Sequence, residues 1–315
     1  MKRLFYKICR IWQIISNALY WLVRDIKYSE FYRGRKVLLN RLLITGHVIE
    51  KGITMRNRRL GFGLWQVRSL ISLCQSAQHQ DLTDTDQYLF ALKDLYEYRK
   101  IHQNNNFDLP KDIKDGIDSL LDNSISSYSA CMTRESFFDF DGDFKNFAKS
   151  RHSVRIFSEE VISDEQMEAV VELAQTAPSA CNRQSVKIHI YDGEAKNNIL
   201  RLQNGNRGWG ETANKIIIVT SEQTAWDGYF TKAAYLDGGI YTMNLLYALH
   251  YYGICSCCLN LYLHRKEMNA LRKASGIPDS EIPVVMIAIG YPPKHDFMIA
   301  RSNRIDFHRI LSFHH

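Results

Sequence analysis

The chain has 315 residues, of which 45% are hydrophobic and 23% are charged, and its formal net charge is +6. This composition is typical of a globular, core-forming protein and excludes collagen-like, repetitive and intrinsically disordered classes. The mild positive charge does not require a nucleic-acid partner, and the densest basic run, residues 56–59, is better explained as a solvated turn. We therefore expect no nucleic-acid partner and assign the surplus charge to a small anionic ligand.

The location of the protein is indicated by its cysteines and its first 28 residues. Seven cysteines, an odd number in a long chain, do not suggest a disulfide framework, so a reducing cytoplasm is expected. Residues 1–28 predict an amphipathic helix whose apolar part is too short to cross a ~30 Å hydrocarbon core. Either it packs on the rest of the protein, or it lies in the inner membrane interface as a peripheral contact. Its apolar residues at three- and four-residue steps are Leu4, Ile8, Trp12, Ile15, Leu19 and Leu22.

Residues 1–134 are predicted to form an all-helical extension. An apolar stripe over residues 67–74 indicates one helix, Thr83 or Asp84 can cap the next, and Pro110 can start another. No strand is expected in this half of the chain.

Residues 135–150 are predicted to be a linker. The alternating acids around Gly142 resemble a calcium-binding loop, but Ser150 stands where such a loop needs a bidentate acid. A calcium site is therefore not expected here.

Residues 151–315 show a mixture of helices and strands. Ser163 and Gln166 have the spacing of a capping box at the start of a helix. This order predicts an α+β domain in which a mixed sheet is flanked by helices. The predicted strands are residues 187–191, 215–220 and 284–289, and the longer predicted helices are residues 235–252 and 265–275.

The first cluster with chemical content is the run Arg151, Ser153 and Arg155. In an extended backbone these alternate residues point to one side, so two guanidiniums and a hydroxyl can form an anion clamp. Arginine suits phosphate because its planar donors match two phosphate oxygens. The cluster taken alone is equally well explained as the solvated basic start of a strand.

The second cluster is the loop of residues 177–184, Ala-Pro-Ser-Ala-Cys-Asn-Arg-Gln. Its small residues allow a flat ligand to approach the backbone, and its amide side chains can bind ring edges and hydroxyls. Taken alone, an ordinary connection between a helix and a strand is the better explanation.

Taken together, the two clusters resemble the opening of the FMN-dependent nitroreductase family. That family has an Arg-x-Ser-x-Arg/Lys element, a helix, and an Ala-Pro-Ser-x-x-Asn-x-Gln loop, and all three are found here in this order. The resemblance continues through residues 236–239 and 253–260, and then through residues 287–292 and 301–304. It covers about half of the chain, from residue 151 to residue 303.

The resemblance implies a set of cofactor-binding residues. Arg151, His152, Ser153 and Arg155 match the family's clamp for the FMN phosphate, the ribityl chain and the pyrimidine edge. The loop that the family supplies from a second subunit is matched by Pro178, Ser179, Ala180, Asn182 and Gln184. The segment that covers the isoalloxazine is matched by Cys258, Leu259 and Asn260. The basic residues that close on the phosphate are matched by Arg301 and Arg304.

The resemblance also implies an activity. NADH or NADPH would pass hydride to flavin N5 in a ping-pong reaction, and the reduced flavin would pass electrons to a small organic acceptor of nitro, quinone or enone type. A homodimer is implied, while no side chain is assigned a catalytic role. Two alternatives stay open: a non-redox binding or scaffold module, and a flavin enzyme acting on a sugar- or lipid-linked substrate.

The sequence departs from the family after the loop, where Ser185 and Val186 replace the usual Pro-Trp pair. The replacement removes an aromatic ring and a rigid kink near the substrate side. Phe137 and Trp209 are among the aromatic residues that could replace the lost wall.

Two further motifs invite metal or redox chemistry. Cys255 and Cys258 have a C-x-x-C spacing, but they lead into a predicted strand and lack two further ligands, so packing is the better interpretation. His47 and Glu50 lie in a His-x-Ile-Glu-Lys-Gly element similar to one found in nitroreductase-like proteins with extra helices, a subgroup associated with surface-polysaccharide loci. A shared helix face would allow ligand binding, but a self-orienting pair near a helix end capped by Gly52 is favoured, and no metal is expected.

Overall fold

A computed structural model gives the fold. It describes the whole chain except residues 1, 28–34, 122–124, 126–129, 139–141, 181–182, 227–230, 262, 264 and 301. The chain forms two compact units. The sheet unit comprises residues 1–22 and 132–297, and the helical unit comprises residues 23–131 and 298–315.

The helical unit has a core built from apolar faces of its helices, as the sequence predicts. These helices are α2 (Arg35–Ile53), α3 (Leu64–Gln78), α4 (Asp86–Asn104) and α5 (Lys111–Asp118). Leu42, Leu70, Leu95 and Ile113 are fully buried in this core. Helix α1 (Lys2–Lys27) precedes them, and no described helix is both long and apolar enough to cross a membrane.

Two helix ends in this unit differ from the prediction. The N-cap of α4 is Thr85, not Thr83 or Asp84; its hydroxyl accepts from the backbone N–H of Tyr88. Helix α2 runs through Gly52 to Ile53, so Gly52 is not a cap beyond the helix end. It lies in the last turn of the helix, where a Cβ would collide with the ring of Phe62, so this position requires glycine.

The segment predicted as a linker carries two short helices, α6 (Arg134–Phe138) and α7 (Phe144–Ser150). Asp143 caps α7 by accepting from the backbone N–H groups of Lys145 and Asn146. One acid of the calcium-like run therefore serves as a helix cap.

The sheet unit confirms the α+β prediction. Its four main strands have the order β2-β3-β5-β4 and pair antiparallel throughout, while a parallel bridge joins Ser153 to Ser256. Strand β1 (Ala130–Met132) pairs with β6 (Phe297–Ile299) in a second sheet, so a strand exists where none was expected. The main elements are α8 (Asp164–Ala174), β2 (Val186–Tyr191), α9 (Gly193–Leu200), β3 (Lys215–Glu222), α10 (Thr231–Tyr251), β4 (Cys255–Leu259), α11 (Arg265–Ser275) and β5 (Glu281–Gly290).

Local sequence signals explain where these elements begin and end. The capping box of Ser163 and Gln166 is present at α8, as predicted. Gly276 follows α11 with φ +71°, the left-handed conformation that glycine adopts most readily at a helix end. Strand β3 is buried on both faces and forms a core with α8 and α10, in which Ile217 and Leu249 are completely buried.

Candidate functional site

The predicted phosphate clamp lies on a segment that is fastened to the sheet. Val154 N–H donates to the carbonyl of Ser256 at 3.1 Å, and Ser158 N–H donates to the carbonyl of Tyr291 at 2.8 Å. Val154 and Phe157 are buried, and the ring of Phe157 packs on Gly290, where a Cβ would collide with it. The backbone of residues 151–158 is therefore fixed by the core of the sheet unit.

The clamp residues lie half-buried along this segment. Arg151, His152, Ser153 and Arg155 all have intermediate exposure, while Val154 points into the core. Within the described part of the chain, neither Arg151 nor Arg155 forms an ion pair with a carboxylate. Two guanidiniums and the Ser153 hydroxyl are the donor set that a phosphate requires.

His250 lies directly beside the first clamp residue. Ser150 Oγ and His250 Nε2 are 2.7 Å apart, and the rings of Phe137 and Phe147 pack against the imidazole. Burial, followed by the positive charges of Arg151 and His152, lowers the pKa of His250 to about 4. The imidazole is therefore neutral at physiological pH and adds no positive charge to the clamp.

The predicted loop is held by a buried carboxylate from the long helix α10. Asp237 is only 2% exposed, and its Oδ2 accepts from the backbone N–H of Ala180 at 2.9 Å. Ser179 Oγ accepts from the backbone N–H of Gln184 at 3.0 Å, and Gln184 has the left-handed φ of +49°. Cys181 and the predicted Asn182 lie outside the described residues.

A cavity of 240 Å³ lies beneath this loop. Pro178, Ser179, Gln184, Asp237 and Tyr241 are among the residues that line it. Its volume is below the ~300–1,000 Å³ usual for small-molecule sites.

A larger cavity, of 660 Å³, lies between α8 and the edge strand β2. It contains none of the predicted site residues, and Lys215 bridges Asp164 at 3.2 Å and Asp192 at 3.0 Å in its wall. Four carboxylates and one lysine line it, so its net negative charge would repel a phosphate, and we prefer the smaller cavity as the candidate site.

The predicted isoalloxazine-covering segment lies at the end of β4. Cys258 and Leu259 end the strand, and the carbonyl of Asn260 accepts from Gln203 Nε2 at 3.0 Å. Desolvation is the main cause that raises the pKa of the Cys258 thiol to about 11, and the charge of Arg151 opposes it. The hydrogen bond from Val154 N–H to the carbonyl of Ser256 shows that β4 and the clamp lie side by side.

The C-x-x-C pair does not form a site. Cys255 and Cys258 are three residues apart on a strand, so their side chains lie on opposite faces of the sheet. Cys255 is buried, and burial raises the pKa of its thiol far above the usual range. Both thiols are therefore protonated at neutral pH, which favours the packing interpretation.

The C-terminal part of the prediction falls in the helical unit. Arg301 lies outside the described residues, and exposed Arg304 donates to the carbonyl of Ser302. Glu50 accepts from the backbone N–H of Ser302 at 3.0 Å and lies 3.1 Å from His47 Nδ1. The His-x-x-Glu pair thus orients itself and also fastens residue 302.

Among the described residues, no cluster of His, Cys, Asp or Glu is arranged to hold a metal ion. The aromatic candidates Phe137 and Trp209 are buried in the sheet unit, so they serve packing and do not form an open wall.

Two residues of this site were not predicted from the sequence. Asp237 and His250 both lie on α10, and each is a buried polar residue in a long apolar helix. That contrast is a detectable signal, because a buried polar group requires a partner. The partners, Ala180 and Ser150, could not be identified without the fold.

Comparison with known proteins gives a consistent assignment. The model of the nitroreductase family matches residues 148–204. An NADH dehydrogenase/NAD(P)H nitroreductase of Archaeoglobus fulgidus is 30% identical over 169 residues, which are 51% of this chain and 92% of that protein.

Solved structures of similar proteins also cover about half of the chain. A nitroreductase family protein from Streptococcus pneumoniae is 20% identical, with a TM-score of 0.48 over 55% of this chain and 100% of that one. An FMN-dependent nitroreductase from Clostridium difficile is 18% identical, with a TM-score of 0.42 over 47% and 87%. On the strength of the Archaeoglobus relative, which this chain covers almost completely, the chain belongs to the nitroreductase family of oxidoreductases.

Proposed function

We propose that the protein is an FMN-dependent oxidoreductase that takes hydride from NADH or NADPH and passes electrons to a small organic acceptor. The observation that carries the proposal is the clamp segment. Arg151 and Arg155 are half-buried guanidiniums without a carboxylate partner among the described residues, on a backbone fixed by the sheet. Such preorganised donors suit a phosphate, which is the anionic end of FMN.

The surroundings of the clamp also suit FMN. The Ser153 hydroxyl is a further donor, and the hydrogen bond from Val154 to Ser256 places β4 beside the clamp. Bound FMN would supply the redox chemistry, with hydride uptake at N5 and release of electrons to the acceptor. The protein's own residues would bind the phosphate, orient the ring and exclude water. Contacts from Asn182, Arg301 and Arg304 stay a prediction.

The same proposal includes a homodimer. The family resemblance assigns the loop of residues 177–184 to the flavin of a second subunit, and the cavity of 240 Å³ beneath it is smaller than the ~300–1,000 Å³ usual for a small-molecule site. The flavin-loaded protein should therefore sediment with about twice the chain mass of 36.7 kDa. A flavin-saturated monomer would contradict this part of the proposal.

The decisive experiment is absorbance spectroscopy of the purified protein. We expect flavin bands that bleach when NADH or NADPH is added anaerobically and return when a quinone or nitro compound follows. Comparison of the two nicotinamides identifies the reductant, and comparison of nitro, quinone and enone compounds identifies the acceptor class. A colourless protein that takes up no FMN from excess solution would overturn the proposal.

A further inference from the structure

Helix α1 presents a stripe of large apolar side chains to solvent. When the helix is projected at 100° per residue, the members of the stripe fall within about a third of its circumference. Their side chains are between 45% and 71% exposed, so the described protein does not cover them. The stripe consists of Phe5, Ile8, Trp12, Ile15, Leu19 and Leu22.

The basic residues of the helix lie away from the apolar stripe. The helix contains six basic residues and one acidic residue, Asp25, and its first turn has no acid. All six basic positions project outside the apolar stripe. They are Lys2, Arg3, Lys7, Arg10, Arg24 and Lys27.

The length and the two faces of α1 together fix how it can meet a membrane. Its 26 residues would span about 39 Å, but its charged face prevents insertion across a hydrocarbon core, and none of the described helices qualifies as a membrane span. A helix with one apolar face and one basic face is suited to the plane of the interface.

We propose that α1 binds in the plane of an anionic lipid bilayer. The apolar stripe, whose largest side chains are Trp12 and Phe5, enters the boundary between headgroups and acyl chains. The basic positions lie level with the headgroups and select an anionic surface by charge complementarity. This inference does not depend on the proposed redox function.

The test is co-sedimentation of the full chain with phosphatidylcholine vesicles, with and without phosphatidylserine. We expect binding to the anionic vesicles that weakens as salt is raised, and much weaker binding to phosphatidylcholine alone.

Adjacent isoleucines provide matched variants. Ile15 and Ile14 have nearly equal exposure, 45% and 42%, but only Ile15 lies in the stripe. Ile15→Asp and Ile14→Asp change the charge equally, so their difference isolates the apolar face. Ile15→Asp should lower the partition coefficient about tenfold or more, and Ile14→Asp only a few-fold. Circular dichroism of both variants checks that the fold is unchanged.

Three outcomes would overturn the proposal. The first is no binding to either kind of vesicle. The second is an equal loss in the two variants, which would show that only charge matters. The third is self-association without lipid that Ile15→Asp abolishes, which would show that a second copy of the chain covers the stripe.

Discussion

Two segments of the sheet unit carry predicted flavin contacts, and they are held in different ways. Residues 151–158 are fixed by backbone hydrogen bonds to Ser256 and Tyr291 and by the buried side chains of Val154 and Phe157. Residues 177–184 are fastened mainly by polar contacts, chiefly from Asp237 to Ala180. The clamp is thus part of the core, whereas the loop depends on a few hydrogen bonds.

This difference separates stability from ligand binding. Damage to the clamp's backbone support should unfold the sheet unit, while damage to the loop's support should leave the fold intact and alter the site. We expect the described loop residues, 177–180 and 183–184, to adapt to a ligand more readily than the clamp segment, because a few hydrogen bonds hold them.

The largest effect is expected for Phe157→Ala. Phe157 is 7% exposed and packs on Gly290 and Trp209, so its removal leaves a cavity in the core. We expect a loss of about 3–5 kcal/mol in the free energy of unfolding, measured by denaturant titration. Phe313→Ala, at a site that is 73% exposed, is the matched control and should have almost no effect. Equal denaturation midpoints for the two variants would show that the clamp segment is not part of the core.

The fold was predictable where the signals are local. Ser163 and Gln166 lie within the first turn of the helix that their capping box starts, and this prediction is confirmed. The predicted N-cap of α4 was wrong because three residues that can cap a helix, Thr83, Asp84 and Thr85, are consecutive in the sequence. Thr85 is the cap in the structure, where its hydroxyl also donates to the carbonyl of the buried Leu82.

The next effect concerns His250 at the end of the clamp segment. Its pKa is lowered to about 4 in the folded protein, so in the unfolded chain it binds a proton at a higher pH, near 6.5. The unfolded state therefore gains a proton first as the pH falls. The contribution of neutral His250 to the free energy of unfolding is fully present above pH 6.5, decreases between pH 6.5 and about 4, and is constant below that. The total decrease is about 3 kcal/mol.

Denaturant titrations at several pH values test this contribution. His250→Asn should show a smaller loss of stability between neutral and acid pH than the parent chain. His102, which is buried in the helical unit and also has a lowered pKa, contributes to the slope that remains. An identical pH dependence in parent and variant would show that His250 is not protonated upon unfolding in this range.

A smaller effect, confined to the affinity for FMN, is expected for Arg151→Ala. The change removes a charge-assisted phosphate contact worth about 1.5–3 kcal/mol, so FMN should bind about ten- to a hundredfold more weakly. The unfolding free energy of the FMN-free protein should barely change, because the segment is held through Val154 and Phe157. Quenching of FMN fluorescence measures the affinity. Arg201→Ala, at an exposed arginine, is the control, and an unchanged affinity for Arg151→Ala would remove the clamp from the site.

The site itself was predictable only in part. The candidate residues came from a family resemblance, whereas their supports are distant in sequence. Asp237 is 57 residues from Ala180, and Ser150 is 100 residues from His250. The sequence reveals a polar residue within an apolar helix, but only the packing of α10 determines what that residue contacts.

A small loss of stability, with a separate effect on the loop, is expected for Asp237→Ala. Ala180 lies at the surface, so its freed N–H can bond to water, and the loss should be about 1 kcal/mol. Loop residues 177–184 should nevertheless become more mobile and be cleaved faster in limited proteolysis. Since that loop is proposed to contact FMN, the affinity for FMN should fall by more than the stability loss explains. Asp237→Asn keeps an acceptor oxygen and should recover most of the affinity. If both variants bind FMN as the parent does, the loop is held by its other contacts, and the contrast with the clamp segment disappears.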